Sequence, residues 1–171
     1  MTADHRLGEV LHDGDTFGLR YERRLAHPPE RVWRAITESG QLEHWMPIDI
    51  VGDRREGASV QMTFWPAVVD KYEIADHSLS GRILTWDPPR TFSYMWGPDT
   101  LIFELHPIDT GTRLVFTTWV VDTTAGVHRT AAGYHVCLDQ LVALLDTDDP
   151  PPFVDQDPTQ YEMTYSALIA E

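Results

Sequence analysis

Apolar residues recur along this chain with two different periods. From Thr16 to Leu25, Phe17, Leu19, Tyr21 and Arg23 alternate with Gly18, Arg20, Glu22 and Arg24, the period of two that half-buries a strand. An extended run over residues 6–11 precedes it. Between them His12-Asp13-Gly14-Asp15 supplies an Asp-Gly step that tolerates the positive φ of a tight hairpin turn. At Pro29 the period becomes helical. Proline at the first helical position gives up a donor that has no partner there, and Glu30 meets the positive end of the helix dipole. Val32, Trp33, Ala35 and Ile36 then form one apolar face up to Thr37, and Ser39-Gly40 ends it. Residues 41–45 read as a second short helix closed by Met46-Pro47.

The alternation then returns over residues 48–53, 58–65, 79–87, 91–96, 100–106 and 112–121. The breaks between these runs are turn chemistry: Glu56-Gly57, Ser80-Gly81, Asp87-Pro88-Pro89-Arg90, Gly97-Pro98-Asp99 and Asp109-Thr110-Gly111. Residues 66–77 show neither period and read as loop. With the first hairpin counted as one, about seven antiparallel strands in a meander are expected. The last long element, residues 124–146, is a one-sided helix with Val127, Ala131, Tyr134, Leu138, Leu141, Val142 and Leu145 on its apolar face. Asp122, Thr123 and Thr124 offer side-chain oxygens to cap its start. Asp148-Asp149-Pro150-Pro151-Pro152 ends it, because three prolines remove three donors. A domain over residues 1–149 and a tail over 150–171 follow, with Tyr161, Met163, Tyr165, Leu168 and Ile169 giving the tail a short helix packed on the domain. Many strands followed by one amphipathic helix make an α+β fold in which the helix needs a sheet to lie on.

Composition narrows the function. At 171 residues the chain can bury roughly 70% of its unfolded surface. No run approaches the ~20 apolar residues of a membrane span. The first fifteen residues lack the apolar stretch of a secretory signal, so a cytoplasmic location is expected. The lone Cys137 agrees with a reducing compartment. Thirteen basic against 27 acidic residues give a net charge of −14, which argues against nucleic acid and anionic membranes as partners. A single lysine, Lys71, among twelve arginines and no asparagine reads as codon bias.

The order of these segments resembles the START-like superfamily with the helix-grip fold (SRPBCC), and within it the bacterial homologues of the heat-shock-protein-ATPase activator domain. The likeness runs over residues 6–146. It is carried by Tyr21-Glu22-Arg23-Arg24-Leu25, His27-Pro28-Pro29-Glu30-Arg31-Val32-Trp33-Arg34-Ala35-Ile36-Thr37, Leu42 with Trp45, and Gly81-Arg82-Ile83-Leu84-Thr85-Trp86-Asp87-Pro88-Pro89-Arg90. Tyr94-Met95-Trp96, Gly111-Thr112-Arg113-Leu114 and Ala132-Gly133-Tyr134-His135-Val136-Cys137-Leu138-Asp139-Gln140-Leu141 complete it. Two positions depart from the pattern: Thr118 stands where relatives often carry histidine, and Tyr134 where tryptophan is usual. The resemblance implies a curved antiparallel sheet gripping the last helix, with a cavity between them for an apolar or amphipathic small molecule. It implies no reaction, since lipid carriers, polyketide cyclases, hormone receptors and chaperone partners share the fold.

Candidate chemistry is sparse. His128 and His135 lie ~10 Å apart along the helix, too far for one ion, and His135 with Asp139 lacks a third ligand. No nucleophile elbow, phosphate loop or dinucleotide fingerprint occurs. Cys137 reads as a buried small hydrophobe, and Glu104, Arg82 and Arg113 fall on the outward face of their strands. No catalytic residue, metal or cofactor is therefore assigned. The concave face and its covering helix offer Met62, Phe64, Thr85, Trp96, Phe103, Phe116, Thr118, Tyr134 and Leu138 as pocket residues: large rings with a few polar handles. The small residues between Val127 and Cys137, Gly133 among them, mark that half of the helix as the expected lid. The expected function is non-catalytic binding. One alternative is a cyclase- or dehydratase-like acid-base enzyme using His44, His135 or Tyr134. The other is a co-chaperone or stress-response module with a chaperone partner. A homodimer through the tail or a sheet edge would be compatible with either.

Overall fold

In a computed structural model, residues 5–170 are described. The first four residues of the expected 1–149 domain and the last of the 150–171 tail lie outside them. Among the described residues eight strands form one antiparallel sheet: β1 (Glu9–Asp13), β2 (Thr16–Leu25), β3 (Ile48–Val51), β4 (Ser59–Phe64), β5 (Ser78–Asp87), β6 (Thr91–Trp96), β7 (Asp99–Ile108) and β8 (Gly111–Val120). Their spatial order is β1-β2-β8-β7-β6-β5-β4-β3. The count is one above the sequence reading because β1 and β2 are separate strands paired from Glu9 with Arg20 to Asp13 with Thr16. Helices α1 (Pro29–Thr37) and α2 (Ser39–Leu42) follow β2, and the long α4 (Val127–Thr147) crosses the concave face of the sheet. This is the helix-grip arrangement.

The sheet closes on α4 through a row of rings in register across five strands. Tyr21 pairs with Phe116, Phe116 with Phe103, Phe103 with Phe92, and Phe92 with Trp86. Residues opposite each other on neighbouring strands share a face, so these side chains meet. Phe103 and Phe116 stack with centroids 4.6 Å apart, and Tyr134 of α4 reaches Phe116 at 5.1 Å. Trp33 of α1 caps the far end of the row, edge-on to Trp86 at 5.1 Å.

Local expectations change between β4 and β5 and at the start of α4. Residues 66–77 contain α3 (Pro66–Tyr72), which starts on a proline as α1 does. Its C-cap is Glu73 in the left-handed region at φ 51°. The start of α4 is not capped by Asp122, Thr123 or Thr124. Its N-cap is Gly126 at φ 94°, and Asp122 instead accepts the Thr124 N–H at 3.1 Å within the preceding loop. The tail carries a 3₁₀ turn (Phe153–Asp155) and then α5 (Thr159–Ile169).

Helix α5 packs on the outer flank of α4 through buried polar groups. Tyr165 is fully buried; its hydroxyl oxygen accepts the Gly8 N–H at 2.8 Å and is hydrogen-bonded to His135 Nδ1 at 2.8 Å. Tyr161 stacks on the His135 ring at 4.0 Å and donates to Asp139 at 3.3 Å. His135 Nε2 and the buried Arg23 both face Asp139, at 3.6 and 3.9 Å. Burial lowers the Arg23 pKa, and the Asp139 carboxylate opposes that shift.

Candidate functional site

Beyond the aromatic row, toward the turn joining β6 to β7, the inner face of the sheet carries a glycine with Met62 packed over it. Gly81 stands opposite Trp96 there. A cavity of about 530 Å³ opens at this end, between the sheet, α3, the first half of α4 and the tail. Its floor is Phe64 and Trp96, ring centroids 5.8 Å apart, with Leu79 beside them. Val68, Tyr72 and Ile74 come from α3 and the residue pair after it; Gly133, Tyr134, Val136 and Cys137 come from α4; Phe153, Gln156 and Pro158 come from the tail. Asp99 and Asp122 line the rim.

The structure sorts the sequence candidates by row. Phe64, Trp96 and Tyr134 line the cavity. Phe103 and Phe116 belong to the aromatic row, where neighbouring rings fill the space. Met62 and Leu138 are buried, and a Cβ built on Gly81 would come within 2.6 Å of Met62 Cε, so that methionine fills the wall behind Trp96. Thr118 is fully buried between Leu19 and Leu101 on neighbouring strands. Its hydroxyl interacts with the Tyr134 phenol without a hydrogen bond of regular geometry. Thr85 lies on the other face. A register shift between Ile83 and Thr85 pairs Thr85 with Ser93, whose neighbours Phe92 and Tyr94 point inward. The extra residue of a bulge reverses which side chains point in, which strict alternation does not anticipate.

The residues missed by sequence reasoning are those of α3 and the tail. Lys71 of α3 donates to the Val154 carbonyl of the 3₁₀ turn, tying together the two pieces that cover the cavity. The cover is therefore α3 with the tail as well as the expected half of α4. The available signal was Pro66, which opens a helix just as Pro29 does.

The titratable groups on the inner wall are held neutral. Burial pushes the Cys137 thiol up to about 12 and raises the Tyr134 phenol well above its ordinary value, with neighbouring Tyr94 and Cys137 adding to the Tyr134 shift. His135 lies on the opposite flank of α4 with Tyr165, and His44 is 40% exposed beside Glu43. Of the three residues an acid-base enzyme would need, only Tyr134 reaches the cavity. Among the described residues no group of three or more His, Cys, Asp or Glu could hold a metal ion. No helix among them is long and apolar enough to cross a membrane.

A family model described as Activator of Hsp90 ATPase homolog 1-like protein matches residues 26–146. Among solved structures the chain is similar to a conserved protein of unknown function from Enterococcus faecalis, with a TM-score of 0.77 and 21% identity over 95% of this chain and 90% of that one. It is also similar to CalU16 from Micromonospora echinospora, with a TM-score of 0.66 and 19% identity over 96% of each chain. A protein from Bordetella parapertussis solved in solution gives 0.68 and 25% identity over 97% and 94%. The first two likenesses show the fold alone. No curated protein matches the chain.

Proposed function

The chain belongs to the Activator of Hsp90 ATPase homolog 1-like family, and from that premise we propose that it binds an apolar or amphipathic small molecule in the cavity under α3, without catalysing a reaction. The observation that carries this reading is the cavity itself. Its volume of about 530 Å³ falls in the 300–1,000 Å³ range of small-molecule sites, and such sites pair aromatic walls with a few polar groups. Phe64, Val68, Tyr72, Ile74, Trp96 and Tyr134 would touch the ligand's apolar body. Gln156 and Thr130 would meet its polar parts.

Acid-base chemistry is disfavoured because Tyr134 and Cys137 hold their protons at neutral pH, and the Asp99 and Asp122 carboxylates at the rim are engaged by the backbone N–H groups of Val121, Asp122 and Thr124. A chaperone-docking role is disfavoured because the exposed large apolar residues away from the cavity, such as Val51, Leu84 and Met163, are spread over β3, β5 and α5.

Titration with the neutral fluorophore Nile red, alongside native mass spectrometry of freshly purified protein, tests the reading. One-to-one binding at micromolar concentration, weakened at least tenfold by Gly133→Leu, is expected. Absence of binding, or binding indifferent to Gly133→Leu, would overturn it.

A further inference from the structure

The polar rim of the cavity carries charge of one sign. Asp99 and Asp122 both line it, and among the described lining residues there is no lysine, arginine or histidine. Backbone N–H groups hold these carboxylates in place. Asp99 Oδ1 accepts from Val121 at 2.7 Å and from Asp122 at 3.1 Å, and Asp122 Oδ1 accepts from Thr124 at 3.1 Å. Neither carboxylate is in an ion pair with a described cation. Hydrogen bonds from the Thr124 hydroxyl and N–H hold the Asp122 carboxyl below the usual range, so it is charged at neutral pH. The cations that border the cavity are engaged: Lys71, over the Tyr72 ring, donates to the Val154 carbonyl, and Arg129 stands opposite Glu162 at 4.0 Å. The His128 ring lies against Gly126.

An anionic head group entering this cavity would leave water for a site whose lining residues include two carboxylates and no cation. A neutral hydroxyl or carbonyl could be satisfied by neutral polar groups of the wall such as Gln156 and Thr130. An ammonium would gain from both carboxylates and from the faces of Trp96 and Phe64; the Tyr72 ring already has the Lys71 ammonium 5.4 Å from its centroid.

We propose that the cavity selects neutral and cationic apolar molecules, amines above alcohols of the same skeleton, and rejects carboxylates and phosphates. This rests on the cavity being a ligand site, as proposed above, and fixes the charge class of its ligand. The net charge of −14 works in the same direction for approach from solution.

Displacement of Nile red by decylamine, decanol and decanoate below their aggregation limits provides the test. Decylamine should bind more tightly than decanol, and decanoate at least tenfold more weakly than decanol; decylamine no tighter than decanol would overturn the order of amine above alcohol. The double variant Asp99→Asn with Asp122→Asn keeps a carbonyl acceptor for each backbone N–H and removes both charges. It should bring decanoate to within about threefold of decanol, and added salt should narrow the gap in the parent protein. If the double variant fails to fold by circular dichroism, the single variants and the salt series give the same comparison. Gly133→Leu should abolish decylamine binding, which separates cavity binding from attraction to an acidic surface. Decanoate binding as tightly as decanol, a gap unmoved by charge removal and salt, or decylamine binding retained in Gly133→Leu would each overturn the proposal. The first two leave the small-molecule reading intact. That reading falls if Nile red itself does not bind.

Discussion

Replacing Gly133 by alanine adds one methyl group to the inner side of α4, where the structure leaves room for it. The residue lies within the 21-residue helix Val127–Thr147 and lines the cavity. A Cβ built there meets no atom within 4 Å, so no repulsion offsets the gain in helix propensity. Glycine inside a helix is less favourable than alanine by roughly 0.8–1.0 kcal/mol, because the unfolded chain loses more freedom. The methyl faces open space and adds little buried area, so the net stabilisation should be about 1 kcal/mol. For a chain of this size that raises the melting temperature by about 2–4 °C. Differential scanning calorimetry and urea unfolding check it, the urea midpoint moving up with an unchanged m-value. An unchanged or lowered melting temperature would mean that the space beneath Gly133 is filled and that α4 leaves no cavity there. A fold that is less stable than one substitution could make it, at a cavity wall, is the usual trade of stability against a functional space.

Further outcomes follow from other parts of the molecule. Tyr165→Phe strips the hydrogen-bond partner of the buried Gly8 N–H and one partner of His135, and should destabilise the protein by about 1–3 kcal/mol in urea unfolding, the cost of leaving one buried donor unsatisfied. A loss below 0.5 kcal/mol would show that α5 does not hold these groups. Gly111→Ala should cost more than about 2 kcal/mol, since Gly111 has φ +143° and an added Cβ would come within 2.1 Å of the Leu25 carbonyl oxygen; a variant that melts with the parent would contradict the turn geometry. Cys137 should resist thiol reagents in the native state at pH 8, where a thiol pushed up to about 12 is thiolate to only about 10⁻⁴; rapid native labelling would refute its burial. The same shift has a sign in stability. An unfolded thiol ionises near 8.5 and the folded one not until about 12, so the unfolded state releases its proton first and stability falls as pH rises from 9 to 10, by at most ~1.4 kcal/mol per unit. Cys137→Ala should remove that slope, and an identical slope in the variant would assign it to other groups.

The periods of two and 3.6 found most of the elements because each strand or helix buries one of its own faces, and that choice is written locally. Thr16–Leu25, Pro29–Thr37 and Thr91–Trp96 have the same bounds in sequence and structure. Helix α3 was hidden because Pro66-Ala67-Val68-Val69 is short and half-exposed, with Val68 its only buried residue, and so shows no clear apolar face. Thr85 was misplaced because one extra residue in β5 inverts the alternation, and a bulge is settled by pairing with β6 rather than by the residues of β5.

What the sequence determined by itself is therefore the set of elements, their order and the helix-grip resemblance, since periodicity, caps and turn residues act between near neighbours. What only the tertiary structure decided is where the core ends and the cavity begins. Phe103 and Phe116 carry the same signal as Phe64 and Trp96 in sequence, yet the first pair is stacked into a continuous row and the second faces open space. The difference lies in what stands near them: rings at Tyr21 and Phe92 in one case, and in the other Gly133 of α4, beside which nothing fills the space. A cavity forms where side chains from distant segments fail to meet, and that failure belongs to their placement in space rather than to any one stretch of chain.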